Sequence, residues 1–510
     1  MSTDTLLNIK DLSVSYLHTH VIKDLSLSVA SGEVVALMGP NGCGKSTLLR
    51  VIRAHLDASL KLFDPLNDRI KGSVTTPHAL RCAWLPQNLK CEWRPPERPE
   101  HGAATERARL RQAFDFDWHG GSIEELSDGQ LQKLAVVETL TAGAELFLLD
   151  EPTNYLDLRG LEALEQAVTN LADQGRGLLL VTHDRVLTEN VADMTYYLSP
   201  NGIHRSLGGF SQAWSLASSE YQARRKQAAD IKRRMSGLRQ DYRRRAGWSR
   251  RKEQSKRGAG SAKPSIGKQA KKMAQRAKAV NRRVEREMDA LERVKPFVPK
   301  PVNLTFDRYD VPRREAFHLR DVCFRYGDDS PWLIRDARLT VSTRDKVCLM
   351  GDNGSGKTTI LKLLTEELQP VSGELHVNDG VNMRHLPQGL AGFFSEGVLI
   401  DNFADCGDQT TVRQHLGSVL LRRDKVTRPL HDFSQGELMR AALVHCVLQK
   451  AEFLLLDEPT SHLDIESIEV LQRLLAAFRG GFLLVSHDRR FVEHVADKLY
   501  LLEDARIRLI

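Results

Sequence analysis

An internal repeat constrains this chain more than any other feature. The segment Gly39-Pro-Asn-Gly-Cys-Gly-Lys-Ser46 recurs 312 positions later as Gly351-Asp-Asn-Gly-Ser-Gly-Lys-Thr358. Three later segments recur in the same order and at similar spacing: Leu85-Pro-Gln87 with Leu386-Pro-Gln388, Leu148-Leu-Asp-Glu-Pro-Thr153 with Leu455-Leu-Asp-Glu-Pro-Thr460, and Val181-Thr-His-Asp-Arg185 with Val485-Ser-His-Asp-Arg489. The repeat predicts two homologous domains, residues 5–208 and 316–510, separated by residues 209–315.

Each repeat has the pattern of an α/β domain. Short apolar stretches at 34–38, 146–149 and 178–181 are typical of buried strands, and they alternate with stretches of helical character. With 510 residues, of which 41% are hydrophobic, the chain is long enough for several folded cores. No apolar run reaches the roughly 18 residues of a membrane span, so we expect a cytoplasmic protein.

The segment between the repeats is strongly basic and helical. Residues 221–300 hold 27 lysine and arginine residues against seven acidic ones. Apolar residues recur at helical spacing on both sides of the breaker-rich stretch 258–264, which predicts an antiparallel helical hairpin. Such charge is typical of RNA-binding surfaces, although a solvated helical surface that binds nothing is the alternative. The predicted RNA-binding residues are Arg243, Arg244, Arg245, Trp248, Arg250, Arg251, Lys252, Lys256 and Arg257.

The two glycine-rich loops have the pattern G-x-x-x-x-G-K-[ST], which follows a strand and opens a helix in phosphate-binding loops. Their backbone N–H groups would surround the β-phosphate, while Lys45 and Lys357 reach the β and γ oxygens. Ser46 and Thr358 are the predicted magnesium ligands. The predicted nucleotide-binding residues of the loops are Gly39, Pro40, Asn41, Gly42, Cys43, Gly44, Lys45, Ser46 and Thr47, and Gly351, Asp352, Asn353, Gly354, Ser355, Gly356, Lys357, Thr358 and Thr359.

Further repeated residues complete the predicted chemistry. The acidic pairs end apolar strands, which places the aspartate beside the metal and lets the glutamate polarise the attacking water. A cap on the turn at the following proline is the structural alternative. The pairs are Asp150 with Glu151 and Asp457 with Glu458. Gln87 and Gln388 are candidates to bridge the metal and the water, and His183 and His487 are candidates to hold the γ-phosphate. Tyr16 and Tyr326 are candidates to stack on adenine.

Two helix-capping segments carry the family resemblance. Leu126-Ser-Asp-Gly-Gln130 and Phe433-Ser-Gln-Gly-Glu437 precede their strand-end aspartates by a matched 23 residues, counted from the serines. The same motifs occur twice in one order: the phosphate loop, a glutamine, this signature, the Asp-Glu pair and a histidine. This arrangement resembles a tandem ABC-type ATPase. The D-E-P-T-N-Y-L-D run at 150–157, its counterpart at 457–464 and the charged linker resemble the ABC-F subfamily.

The resemblance implies two ABC-type nucleotide-binding domains joined by an antiparallel α-helical hairpin linker. It implies that they close head to tail on two ATP molecules with Mg²⁺. Lys45 would work with Ser434 and Gly436, and Lys357 with Ser127 and Gly129. It further implies an ATP hydrolase at the ribosomal exit-tRNA site, whose linker points toward peptidyl-tRNA and the peptidyl transferase centre, close to ribosomal RNA. We expect a monomer, because both ATPase halves are in one chain, and no membrane or DNA partner.

The sequence also departs from the family pattern. Asp128 and Gln435 replace the first glycine of the two signatures, and the charge of Asp128 is expected to repel a nearby γ-phosphate, making the sites unequal. The short spacing after Gln87 leaves no room for the extra arm that some family members have. In lacking this arm the chain most resembles members that protect ribosomes from antibiotics. The alternatives are a housekeeping translation factor, the ATPase pair of a membrane importer, and a coiled-coil DNA-repair ATPase. The basic hairpin argues against the importer.

Overall fold

The structure, a computed structural model, describes residues 4–16, 19–57, 68–77, 80–94, 103–116, 122–199, 202–257, 310–421 and 423–510. The chain forms two compact units: residues 1–213 with 301–510, and residues 214–300. The first unit contains both repeats. The predicted α/β class and the duplication are confirmed, because each repeat contains a six-stranded sheet and a three-stranded sheet with the same strand order.

The first repeat is built from strands β1 (Thr5–Tyr16), β2 (Thr19–Ala30), β3 (Val34–Met38), β4 (Asp68–Thr75), β5 (Cys82–Leu85), β6 (Leu146–Asp150), β7 (Gly177–Val181), β8 (Met194–Ser199) and β9 (Gly202–Leu207). Its helices are α1 (Lys45–Leu56), α2 (Leu89–Glu92), α3 (Ala103–Ala113), α4 (Asp128–Leu140), α5 (Leu158–Asp173) and α6 (Arg185–Val191), with a 3-10 turn at Ile123–Glu125. The large sheet has the order β5-β6-β7-β3-β8-β9, parallel except for β9, and the antiparallel sheet has the order β2-β1-β4.

One long helix, α7 (Phe210–Arg257), follows the first repeat and occupies the predicted first arm of the linker. Its 48 residues make it about 70 Å long. The predicted turn and second arm, at 258–309, lie outside the described residues. Within the portion of the chain that the structure covers, no helix is both long and apolar enough to cross a membrane.

The second repeat has strands β10 (Glu315–Phe324), β11 (Ile334–Ser342), β12 (Lys346–Gly351), β13 (Ser372–Val377), β14 (Met383–Leu386), β15 (Phe453–Asp457), β16 (Gly481–Val485), β17 (Lys498–Glu503) and β18 (Arg506–Leu509). Its helices are α8 (Lys357–Leu364), α9 (Gln409–Ser418), α10 (Gln435–Leu448), α11 (Ile465–Ala477) and α12 (Arg489–Val495). Short 3-10 segments lie at Gln388–Leu390, Leu399–Cys406, Arg423–Thr427 and Leu430–Asp432. The sheets repeat the order of the first domain, β14-β15-β16-β12-β17-β18 and β11-β10-β13.

The cores explain why the central strands read as unbroken apolar runs. Strand β6 is buried along its whole length. Leu146 and Leu148 face the core that contains α1 and the antiparallel sheet, whereas Phe147 and Leu149 face the core that contains α4 and α5. Parallel strands covered on both faces have no polar side. Because β3, β6 and β7 are parallel neighbours, their carboxyl ends meet at one edge, where the predicted site residues follow them.

Candidate active sites

The glycines of the phosphate loops hold a backbone path that other residues would block. Gly39 has φ 147° and Gly351 has φ 156°. A Cβ on Gly39 would lie 2.4 Å from the Leu198 carbonyl oxygen, and one on Gly351 would lie 2.6 Å from that of Leu502. The loops can therefore pass this close to the neighbouring strand only with glycine at these positions.

The two loop lysines are buried, and their side chains contact the backbone of their own loops. Lys45 Nζ donates to the carbonyl oxygens of Gly39 at 2.8 Å and Pro40 at 3.1 Å. Lys357 Nζ does the same to Gly351 and Asp352, both at 2.8 Å. An ammonium held at a helix N-terminus beside converging backbone N–H groups fits a phosphate group.

The predicted metal ligands lie together in both repeats. The Ser46 hydroxyl lies beside the Asp150 carboxylate, and the Thr358 hydroxyl lies beside that of Asp457. Burial raises the pKa of Asp150 to about 6, with Ser46 acting in the opposite direction. Asp150 Oδ1 is buried without a hydrogen-bond partner. A buried carboxylate oxygen beside a hydroxyl is the donor set that Mg²⁺ prefers, so these residues fit the ion.

A buried glutamate and a histidine follow each metal-site aspartate. His183 Nε2 lies 3.4 Å from Glu151 Oε1, and His487 Nε2 lies 3.3 Å from Glu458 Oε1. Burial raises the pKa of both glutamates to about 8. Burial also lowers the pKa of His183 to about 3 and that of His487 to about 4. At neutral pH both histidines are therefore neutral in this arrangement, and each glutamate is a stronger base than an exposed one.

Each phosphate loop contacts the opposite repeat. The Asn41 backbone N–H donates to Asp464 Oδ2 at 2.9 Å, and the Asn353 N–H donates to Asp157 Oδ2 at 3.0 Å. The Asn353 side chain also donates to the Tyr155 carbonyl at 2.7 Å. Asp157 and Asp464 end the two D-E-P-T runs and cap α5 and α11 through their other oxygens. The two repeats therefore face each other head to tail.

Both repeats line one shared cavity of about 720 Å³. It gathers, from the first repeat, Lys45, Ser46, Gln87, Gly129, Asp150, Glu151 and His183, and from the second, Asn353, Gly354, Gln388, Glu458 and His487. A smaller cavity of about 340 Å³ is lined by Tyr326, Lys357, Thr358, Thr359, Gln388 and Asp457. The structure thus brings together predicted site residues from both halves of the chain.

Some predicted residues lie elsewhere. Tyr326 lines the smaller cavity and its hydroxyl is 3.2 Å from Thr359 Oγ1, whereas Tyr16 is not among the residues that line either of these two cavities. Ser127 and Ser434 form complete capping boxes at the starts of α4 and α10. Gly436 is buried next to Ser467 and is not a lining residue of either cavity, so its pairing with Lys45 stays a prediction.

One expectation from the sequence changes with the structure. The Asp128 carboxylate, expected to repel a γ-phosphate, lies 2.7 Å from Lys90 Nζ of α2. This ion pair offsets the charge of Asp128, although both side chains are more than half exposed. The residues predicted to bind RNA, 243–257, lie in α7, but their side chains are outside the described part of the structure.

Sequence reasoning misses the contacts that join the repeats. The loop motif assigns Asn41 and Asn353 to the nucleotide, and it gives the final aspartates of the D-E-P-T runs no role. A signal is present, because Asp157 and Asp464 recur at the same place in each repeat immediately before a helix. An aspartate there is a common helix cap, so the sequence alone does not single out its second oxygen.

Comparison with known proteins decides the family. A family model described as ABC transporter matches residues 22–154 and 334–461, more than half of the chain. The chain belongs to this family and to its ABC-F subfamily. This ABC-F protein is an ATP-binding protein and an ATPase.

Relatives cover nearly the whole ABC-F chain. It is 27% identical to the putative ATP-binding protein YdiF of Bacillus subtilis, over 98% of this chain and 80% of that protein. It is 28% identical to the ribosome protection protein VmlR of Bacillus subtilis, over 93% of this chain and 82% of that protein. Among solved structures, an RNase-L inhibitor matches 98% of this chain and 90% of its own, with a TM-score of 0.59 and 20% identity, which shows the shared fold.

Proposed function

We propose that this ABC-F ATPase is a cytosolic monomer that binds the ribosome at the exit-tRNA site. Its linker would point toward peptidyl-tRNA and the peptidyl transferase centre, and its activity would protect ribosomes from antibiotics. The observation that carries the proposal is the combination of two ATPase repeats with a helix of 48 residues, Phe210–Arg257. This helix overlaps the sequence segment 221–300, which has an excess of 20 positive charges. A basic helix about 70 Å long suits RNA and has no evident use in docking to a membrane subunit. The relative named a ribosome protection protein supports the same partner.

The site residues have distinct proposed roles in hydrolysis. Lys45 and Lys357 would hold phosphate oxygens at the N-termini of α1 and α8. Mg²⁺ would be held by Ser46, Gln87 and Asp150 in one site and by Thr358, Gln388 and Asp457 in the other; when bound, it neutralises phosphate charge.

Each glutamate, once ionised, would then accept the proton of the attacking water. Their burial makes them stronger bases than exposed glutamates, and the nearby neutral His183 and His487 keep the position free of a competing positive charge. The reciprocal contacts of Asn41 with Asp464 and of Asn353 with Asp157 would form as the repeats close. Closure at the loops would thereby be linked to ATP binding, and hydrolysis would allow the repeats to separate.

A second function within the same class is relief of stalled ribosomes without drug specificity. Several relatives of similar identity, YdiF among them, carry names that mention ATP binding alone. The two functions differ in what the tip of the linker does. Translation assays with and without candidate antibiotics separate them: protection predicts restored synthesis only in the presence of a drug.

The test of the ribosomal function is sedimentation. We expect the Glu151→Gln/Glu458→Gln variant with ATP to pellet with ribosomes and not with membrane vesicles or DNA, because blocked hydrolysis should hold the closed form. The Lys45→Ala/Lys357→Ala variant is the matched control and should stay in the supernatant. Pelleting with vesicles, or equal behaviour of both variants, would contradict the proposal.

A further inference from the structure

The two phosphate loops differ at their second position. The first loop has Pro40 there and the second has Asp352. Asp352 places a carboxylate in the loop of Lys357, whose Nζ donates to the Asp352 carbonyl oxygen at 2.8 Å. A negative charge at this place opposes the binding of a triphosphate, because like charges a few ångströms apart repel.

The cation that offsets this charge comes from the other repeat. Arg159 Nε lies 3.1 Å from Asp352 Oδ2, and a terminal guanidinium nitrogen of Arg159 lies 2.9 Å from Glu503 Oε1. Arg159 thus bridges the phosphate loop and the end of β17. A guanidinium suits such a double contact because its donors form a fixed planar fork.

The position of Arg159 ties the bridge to closure of the repeats. Arg159 is two residues beyond Asp157, whose Oδ2 accepts the Asn353 N–H next to Asp352 in the same loop. Both contacts therefore form together when the first repeat meets the second. In an open arrangement Asp352 would face solvent without this partner.

The equivalent place around the first loop has different chemistry. Alignment of the repeats places Glu466 opposite Arg159 and Ser199 opposite Glu503, beside Pro40 instead of Asp352. The Glu466 carboxyl lies near the Tyr197 hydroxyl and makes no ion pair in the described structure. The charge bridge is therefore a feature of the Lys357 loop, and the Lys45 loop lacks its counterpart among the residues that the structure describes.

We propose that Arg159 is a positioning residue for the ATP site at Lys357: it neutralises Asp352 only when the repeats close, so ATP binding there depends on closure more than it does at Lys45. The proposal rests on the assignment of both loops as ATP sites. The Asp352 carboxylate then lowers the affinity for ATP in the open form, and Arg159 offsets this effect in the closed form.

Equilibrium binding of a fluorescent ATP analogue tests the proposal. A Lys45→Ala background confines the titration to the Lys357 loop. Arg159→Ala should weaken binding about three- to tenfold, mainly because it leaves the Asp352 carboxylate unpaired in the phosphate loop, and Arg159→Lys should recover part of the loss. Asp352→Asn should tighten binding, and in that protein Arg159→Ala should have a clearly smaller effect, limited to loss of the exposed Arg159–Glu503 pair. Glu466→Ala is the matched control and should leave this titration unchanged.

A structural role alone would give a different pattern. If Arg159→Ala weakens binding by the same factor in the protein that keeps Asp352 and in the Asp352→Asn protein, Arg159 acts through packing and the proposal is wrong. Raising salt from about 50 to 500 mM should also weaken binding more in the protein that keeps Arg159 and Asp352 than in the Arg159→Ala/Asp352→Asn protein, since salt screens the bridge. If Lys357→Ala in the same background leaves binding intact, the ATP-site assignment itself fails, which is a separate result.

Discussion

Glu151→Gln should stabilise the nucleotide-free protein in a pH-dependent way. Burial raises the pKa of Glu151 from 4.5 to about 8, so the folded state binds this proton more tightly than the unfolded state. As pH rises from about 4.5 to 8 the unfolded state releases the proton first, and the folded state loses stability over that window. By linkage, the cost is about 1 kcal/mol at pH 5 and about 3 kcal/mol at pH 7. Glutamine has the same shape and no proton to lose, so it removes this cost.

Scanning calorimetry without nucleotide or Mg²⁺ measures the effect. The Tm of Glu151→Gln minus that of the wild type should widen with pH, reaching about 6 to 12 °C at pH 7 for a domain of this size. His183, whose pKa is lowered to about 3 by burial, is present in both proteins, so its own titration largely cancels. The exposed Glu124→Gln is the control and should leave Tm unchanged. Parallel Tm curves from pH 5 to 8 would refute the assignment of a buried, protonated Glu151.

Three further outcomes follow from the same residues. Glu151→Gln/Glu458→Gln should slow ATP hydrolysis by about 10² or more while ATP binding persists; wild-type turnover would remove these glutamates from the catalytic role. Lys90→Ala should weaken ATP binding at the Lys357 site a few-fold by leaving Asp128 unpaired, and adding Asp128→Gly should restore it, as measured by the same fluorescent titration. Replacing 258–267 by a short Gly/Ser turn should leave ribosome binding and basal ATPase intact but lower any protection of translation; a failure to bind would assign affinity to the tip.

The residues that follow local rules could be predicted from sequence. The phosphate loops, the strand-end acids Asp150 and Asp457, and the buried central strands each depend on a short stretch with a strong steric or apolar requirement. The fold class followed from these stretches and from their duplication. Tyr326 lines the smaller of the two cavities described above, and Tyr16 lines neither of them. Both carry the same expectation from sequence, because each lies at or just beyond the end of the first strand of its repeat.

The contacts between distant segments could not be predicted in the same way. Asn41 and Asp464 are 423 positions apart and meet only because the repeats face each other. Lys90 and Asp128 belong to different helices, so the neutralisation of Asp128 depends on how α2 packs beside α4. In the sequence Arg159 is an ordinary charge early in a helix, and its two acidic partners come from the second repeat. Such pairs depend on tertiary geometry, which no local pattern encodes.

The salt dependence of ribosome binding tests whether the basic linker binds ribosomal RNA or tRNA. We would measure the affinity of the Glu151→Gln/Glu458→Gln protein with ATP at several salt concentrations, with and without neutralisation of Arg243, Arg244, Arg250 and Arg251. Removing one arginine that pairs with a phosphate should lower the slope of log affinity against log salt by roughly 0.7 to 0.9. We predict weaker binding and a flatter slope for the neutralised protein. Equal affinity with an unchanged slope would contradict it.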